Sequence, residues 1–227
     1  MGLKTVWKEM GWRDGLLYGC ARALEAVSGG RCRLVKYYLV AQPIGRGLHK
    51  PMRPDAATTL VQVPAGDPLE AMFPRAAAVL ARRHAAGARC TAAFVRGEFA
   101  GFIWIQRGEY AEDELRCTYL IDEPASGVWD YDVYVEPRFR VGRTMARLWA
   151  QVDGDLAATG VRWSFSRISA FNPASLLSHA RLGAVRCTSA VFLCAGPLQL
   201  SWLPQAPFLH LSLHDRQAPR VRLRPPP

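Results

Sequence analysis

The chain has 227 residues, half of them hydrophobic, enough for one well-buried domain and too few for two ordinary ones. Its 29 Lys and Arg outnumber 19 Asp and Glu, leaving a net charge of +10 carried almost wholly by arginine, since the lysines are only Lys4, Lys8, Lys36 and Lys50. That charge calls for an acidic partner or substrate. No run approaches the roughly 18 apolar residues of a membrane-spanning helix, and Met1 to Glu9 lacks the unbroken apolar core of a secretory signal, which predicts a cytoplasmic protein.

Taken in order, Trp12 to Ser28 predicts a helix, because Leu17, Cys20, Ala21, Leu24 and Val27 recur at helical intervals and Gly29-Gly30 closes it. Arg33 to Gln42 predicts a strand, Pro43 to Pro54 a turn-rich exposed loop, and Thr58 to Val63 a short strand. Asp67 to Ala86 reads as one helix or two, interrupted at Pro74, which cannot donate the backbone bond a continuing helix requires. Thr91 to Val95 and Phe99 to Gln106 flank Arg96-Gly97-Glu98 as a hairpin. Strands follow at Leu115 to Ile121 and Trp129 to Val135. Met145, Leu148, Trp149, Val152 and Leu156 then form a helical apolar stripe ended by Gly160. Val161, Trp163 and Phe165 alternate with Arg162, Ser164 and Ser166 as a half-buried strand, and Ala190 to Ala195 and Phe208 to Leu213 complete a sheet. Arg216 to Pro227 predicts a frayed, flexible tail.

The six cysteines, Cys20, Cys32, Cys90, Cys117, Cys187 and Cys194, form no Cys-x-x-Cys pair and no zinc-ligand spacing. They read as reduced core residues.

From Val133 to Leu182 the chain carries a strand ending Val135-Glu136-Pro137, an arginine-rich turn, a helix, a strand, and Asn172-Pro-Ala-Ser-Leu-Leu-Ser-His179-Ala-Arg-Leu-Gly183. This order and spacing resemble the core of the GCN5-related N-acetyltransferase (GNAT) superfamily. There a Val-x-Pro strand end leads into an Arg/Gln-x-x-Gly-x-Gly/Ala loop that cradles the pyrophosphate of coenzyme A. An Asn-x-x-Ala-x-x-x-Tyr-x-x-x-Gly helix follows and lies along the pantetheine arm. The resemblance covers a core of residues 91–195, with 1–90 matching only in the general order of elements. It implies a single α/β domain over 1–227, a GNAT-like twisted, mixed, mostly antiparallel sheet flanked by helices and splayed where Val135 ends.

The resemblance also implies transfer of an acyl group from acetyl coenzyme A, a longer acyl coenzyme A or an acidic acyl carrier protein to an amine-bearing acceptor, without a metal. The stretch between Arg107 and Asp130 is longer than many members carry, and acceptor selection is placed in it. A catalytically silent GNAT-like binding module is the alternative. A nucleic-acid binder would rest on charge alone, because the basic residues are dispersed and no recognised binding motif accompanies them.

A turn that opens a helix presents unpaired backbone N–H groups and the positive end of the helix dipole, which suits a diphosphate. Val135, Arg138, Arg140, Val141, Gly142, Arg143 and Thr144 are therefore the candidate donor-binding residues. Arg140 takes the Arg/Gln place, but Arg143 and Met145 stand where glycines are usual and Gly142 falls one residue early. Their side chains would either obstruct the diphosphate or replace amide contacts with guanidinium contacts. The same turn also reads as a solvated basic loop.

Asn172, followed by Pro173, reads both as a helix N-cap and as the Asn that contacts the donor. His179 stands where the family's Tyr protonates the departing thiolate. With an ordinary pKa of about 6.5 against about 10 for tyrosine, an imidazolium could deliver that proton, whereas the plainer reading is a histidine exposed on a helix face. Asp130 and Asp132, two apart on a strand, would share a face and could deprotonate an incoming ammonium. Glu112, Asp113 and Glu114 form a second acidic cluster. A serine nucleophile in Ser166-Arg167-Ile168-Ser169 would need a histidine base that the sequence cannot place beside it.

Overall fold

A computed structural model describes residues 9–46 and 55–226. The first part contains α1 (Trp12–Val27), β1 (Cys32–Pro43), β2 (Thr58–Val63), α2 (Ala77–Ala85), β3 (Arg89–Val95), β4 (Glu98–Arg107), β5 (Glu109–Ala111) and β6 (Thr118–Ile121). Then come β7 (Gly127–Val135), α3 (Thr144–Ala158), β8 (Trp163–Ser169), α4 (Pro173–Arg181), β9 (Val185–Ala195), β10 (Leu198–Trp202), β11 (Leu209–Ser212) and β12 (Arg220–Leu223). Short 3-10 turns occupy Pro68–Met72, Pro137–Phe139 and Asp215–Gln217.

The fold is α/β. A mixed sheet has the strand order β11-β10-β9-β1-β8-β7-β4-β3-β2, and β12-β6-β5 form a smaller one. The β1–β9, β9–β10, β10–β11, β2–β3, β3–β4 and β4–β7 pairs are antiparallel, and β7–β8 is parallel. The chain divides into two compact units. One takes the described residues up to Gln42, Glu109–Asp122 and the chain from Ser166; the other takes Pro43–Gly108 and Glu123–Phe165.

In the second unit the apolar stripe of α3 does what its spacing dictates. Leu148, Trp149, Val152 and Leu156 pack on Ile103 and Ile105 of β4 and Val128 of β7. Each such side chain contributes about 1.5–3 kcal/mol on burial. The other face of β4 carries Phe99, Phe102 and Trp104, with Phe73 stacked on Phe99. The hairpin joining β3 to β4 turns at Arg96 and Gly97, both in the left-handed region at φ 52 and 79, as a tight two-residue turn requires.

Several expectations change in three dimensions. Ser164 and Ser166 are buried as well as Trp163 and Phe165, so β8 is covered on both faces rather than half exposed. Parallel pairing with β7 takes it into the sheet interior. The strand β10 had no distinct sequence signal. Pro43 and Ile44 are buried, not exposed, and 47–54 of that predicted loop lie outside the described residues. Cys20 is exposed rather than core, while Cys90 and Cys117 are buried.

The tail is not frayed over Arg220–Leu223: β12 pairs in parallel with β6, burying Val221 and Leu223. Alternation explains it, since Val221 and Leu223 point inward while Arg220 meets Glu109 and Arg222 and Arg224 meet Asp122.

Candidate functional site

The candidate donor residues from Val135 to Thr144, with Asp130 and Asp132, fall in one unit, and Asn172 and His179 in the other. In the first, β7 pairs with β8 only over Gly127–Trp129, opposite Trp163–Phe165. Beyond Trp129 its ladder partners lie on the β4 side alone, so the opposite backbone edge of Tyr131 to Val135 belongs to no ladder among the described residues.

The β4–β7 register shifts within that stretch: Trp104 faces Tyr131, but Phe102 faces Tyr134. Asp132 and Val133 together therefore oppose Ile103, a β-bulge, and Asp132 adopts φ 49. The extra residue overturns the expectation that Asp130 and Asp132 share a face. Asp130, opposite Ile105, accepts the Ser164 hydroxyl at 2.6 Å. Asp132 turns to the side of Tyr131 and Trp104, where Arg75 Nε donates to Oδ2 at 2.7 Å and Arg75 Nη2 and Arg83 Nη1 also donate to its carboxylate. Beyond the bulge β4 comes so close that a Cβ at Gly101 would collide with the Tyr134 carbonyl, which is why glycine stands opposite Val135.

A pocket of about 310 Å3 lies at this strand end, lined by Val133, Tyr134, Val135, Arg140 and Met145. Arg140 Nε donates to the Val135 carbonyl at 3.0 Å. The intervening turn closes on itself through Phe139 N–H to Glu136 O and Gly142 N–H to Phe139 O. Arg138 is exposed and paired with Glu98, Val141 is wholly exposed, and Thr144 is buried.

Arg143 is the N-cap of α3 and makes no side-chain cap, and no acidic residue occupies the first turn. The first-turn N–H groups are thus left without a side-chain acceptor from the cap. Arg143 sits at φ −101, a conformation open to any residue, so the turn needs no glycine there.

In the other unit, Asn172 Oδ1 accepts Ser175 N–H at 3.1 Å, the N-cap geometry that Pro173 announces. His179 is not exposed on a helix face: it is 7% accessible, with Nδ1 3.2 Å from Gln42 Oε1. Burial pushes its pKa down to about 4, so the ring is neutral near pH 7, which weighs against the imidazolium reading.

The Glu112 carboxylate is buried against Arg167, and Glu114 accepts from Tyr37 Oη at 3.1 Å and lies 3.4 Å from Arg167 Nη2. Burial raises Glu112 to about 7 despite the opposing pull of Arg167. Arg167 also stacks 4.6 Å over the Tyr37 ring. Two carboxylates of that acidic segment, Glu112 buried and Glu114 exposed, are therefore engaged by an arginine of the Ser166-Arg167-Ile168-Ser169 stretch.

Sequence reasoning missed Arg75, Arg83, Arg167 and Tyr37. Their neighbours gave no signal, because the partners lie far along the chain. Among the described residues, no group of three or more His, Cys, Asp and Glu is arranged to hold a metal ion, and no helix is long and apolar enough to cross a membrane.

No protein-family model matches this chain, and no curated protein does. Among solved structures, a conserved protein of unknown function from Staphylococcus epidermidis aligns at 13% identity and a TM-score of 0.51, covering 76% of this chain and 66% of that one. A tandem GNAT protein from the clavulanic acid biosynthesis pathway aligns at 15% identity and 0.49, covering 77% and 58%. An acetyltransferase of Trypanosoma brucei aligns at 16% and 0.39, covering 56% and 91%. The chain spans just under two thirds of the first of these proteins and less of the second. The first likeness is one of fold.

Proposed function

We propose that this chain is an N-acyltransferase that moves an acyl group from an acyl thioester to an amine. The observation that carries the reading is the end of β7, where a strand edge that joins no ladder among the described residues, a bulge and a pocket meet Arg140 and the N-terminus of α3, which has no side-chain cap. An extended acyl-thioester arm would lie along the edge of Asp132 to Val135 that joins no ladder, with Arg140 already on the Val135 carbonyl. Its diphosphate would meet the first-turn amides of α3, with Arg140 and Arg143 supplying the charge.

The amine nitrogen would then bond to the thioester carbon, the C–S bond would break, and the thiolate would leave with the proton that the amine gives up. A backbone N–H near Val135 would hold the developing oxyanion, costing nothing to reorganise because the strand is already fixed. Asp130 is engaged by Ser164 and Asp132 by two guanidinium groups, so we assign neither the role of base, and neutral His179 is a poor acid. The amine attacks in its free-base form.

The donor is acetyl coenzyme A or another acyl coenzyme A, or else an acyl carrier protein, whose phosphopantetheine lacks the adenosine diphosphate half that needs a glycine-rich turn. Isothermal titration with acetyl coenzyme A separates these on the wild type, Arg140→Ala and Arg143→Ala. Micromolar binding weakened in both variants supports the coenzyme A reading. Salt-sensitive binding to an acidic carrier without binding to coenzyme A supports the carrier reading. Binding to neither sinks the proposal.

Arg143 and Met145 in place of glycine, together with the neutral His179, favour a second reading, a catalytically silent binding module. Product formed from any thioester donor would dismiss it.

A further inference from the structure

We infer that Arg75, Asp132 and Arg83 form a positioning clamp that locks the β7 bulge and, through it, the wall of the pocket in its donor-binding shape; this rests on the donor-site reading above. Among the described residues only Arg96 and Asp132 are non-glycine residues at positive φ. Arg96 sits in a hairpin turn, where that conformation is ordinary, whereas Asp132 sits within a strand. A left-handed residue there persists only when its surroundings over-determine it.

The surroundings do so on both sides of the bulge. Arg83 stacks over Trp104 at 5.4 Å and Tyr131 at 5.1 Å, the cross-strand pair just before the irregularity. Arg75 stacks over Phe102 and Tyr134, each at 5.6 Å, the cross-strand pair just after it. The Asp132 carboxylate joins the two, taking Arg75 as a fork on both oxygens and Arg83 on Oδ2. Each guanidinium thus grips one pair of rings, and the carboxylate fixes the distance between the grips.

Lysine could not substitute, because only a planar guanidinium both stacks on a ring and forks onto a carboxylate. The side chains of Arg83 and Asp132 are 7% and 12% accessible, so solvent screens them weakly. Val133 and Tyr134, the next two residues, line the pocket. Holding Asp132 therefore aims both. The carboxylate positions and does not react, since its oxygens are already occupied by donors.

The test measures amide hydrogen exchange across β7 and thioester-donor affinity side by side in the wild type, Asp132→Gly, Asp132→Asn and Arg83→Lys. Glycine accepts φ 49 freely, so Asp132→Gly keeps the backbone conformation available while removing the carboxylate, and Asp132→Asn, which retains the Cβ, separates loss of the clamp from the flexibility glycine adds. The expected result is about ten-fold faster exchange confined to Tyr131 to Val135, with donor affinity lower by about ten-fold. Asp132→Asn, which keeps one acceptor oxygen, should fall between Asp132→Gly and the wild type, and it stands in if the glycine variant does not fold. Arg83→Lys should resemble Asp132→Gly.

Unchanged exchange in Asp132→Gly overturns the clamp, as does exchange raised evenly over the whole protein, which would mark a merely stabilising ion pair. Local loosening with donor affinity unchanged overturns its positioning role. A wild type that binds no thioester defeats the donor-site reading instead, and exchange alone then decides whether the clamp holds the bulge.

Discussion

His179 Nδ1 lies 3.2 Å from Gln42 Oε1, and both side chains are buried. The ring's folded pKa of about 4 lies below its ordinary 6.5, so between these values the unfolded chain binds the extra proton. Stability from this group is complete above pH 6.5 and is lost as pH falls towards 4, by at most about 3 kcal/mol. His179→Gln should flatten the dependence of unfolding free energy on pH across that window, read by urea titrations at pH 4.5, 5.5 and 7. An unchanged slope would show that the imidazole is solvated.

Arg167 offsets the buried charge of Glu112, whose folded pKa of about 7 is raised above its ordinary 4.5. Stability linked to that shift is fully present below pH 4.5 and is lost as pH rises through 7, the opposite slope to His179. Arg167→Met removes the partner, so it should cost about 3 kcal/mol at pH 8, where the carboxylate would otherwise be charged, and distinctly less at pH 5. Equal losses at both pH values would mean that packing on Tyr37, not charge, is what Arg167 supplies.

With no enzyme base assigned, the pH profile of acyl transfer should report the acceptor. For an amine of pKa about 10, kcat/KM should rise about ten-fold per pH unit from pH 6 to 9. A plateau setting in above about pH 7 would reveal a protein base.

Leu223 is 2% accessible in β12, at the end of a segment that reads as polar tail. Leu223→Ala should destabilise the protein by about 2–4 kcal/mol, the usual loss for a buried leucine, in thermal or urea unfolding. Arg222→Ala and Arg224→Ala should each cost well under that, because these ion pairs are exposed. A neutral Leu223→Ala would mean that the strand does not dock in solution.

Local periodicity was enough for α1, α3 and the β3–β4 hairpin, because a helix stripe or a two-residue turn is written within a few neighbouring residues. It was not enough for β8, β10 and β12, whose place depends on which strand lies alongside. Asn172 showed its capping role in the sequence through Pro173. His179 did not show its burial, since the helix pattern around it says nothing of Gln42, a contact 137 residues away.

The order of motifs from Val135 to Gly183, the arginines of the turn between them and the basic balance of the chain belong to the sequence alone. The tertiary structure decided which charges remain available: Arg75 and Arg83 turn inward to Asp132, and Arg167 turns inward to Glu112. It also decided that Asp130 and Asp132 face opposite ways. A strand's alternation is a local rule, but a bulge is a fact of register between two strands, and register is set only when β4 and β7 pair.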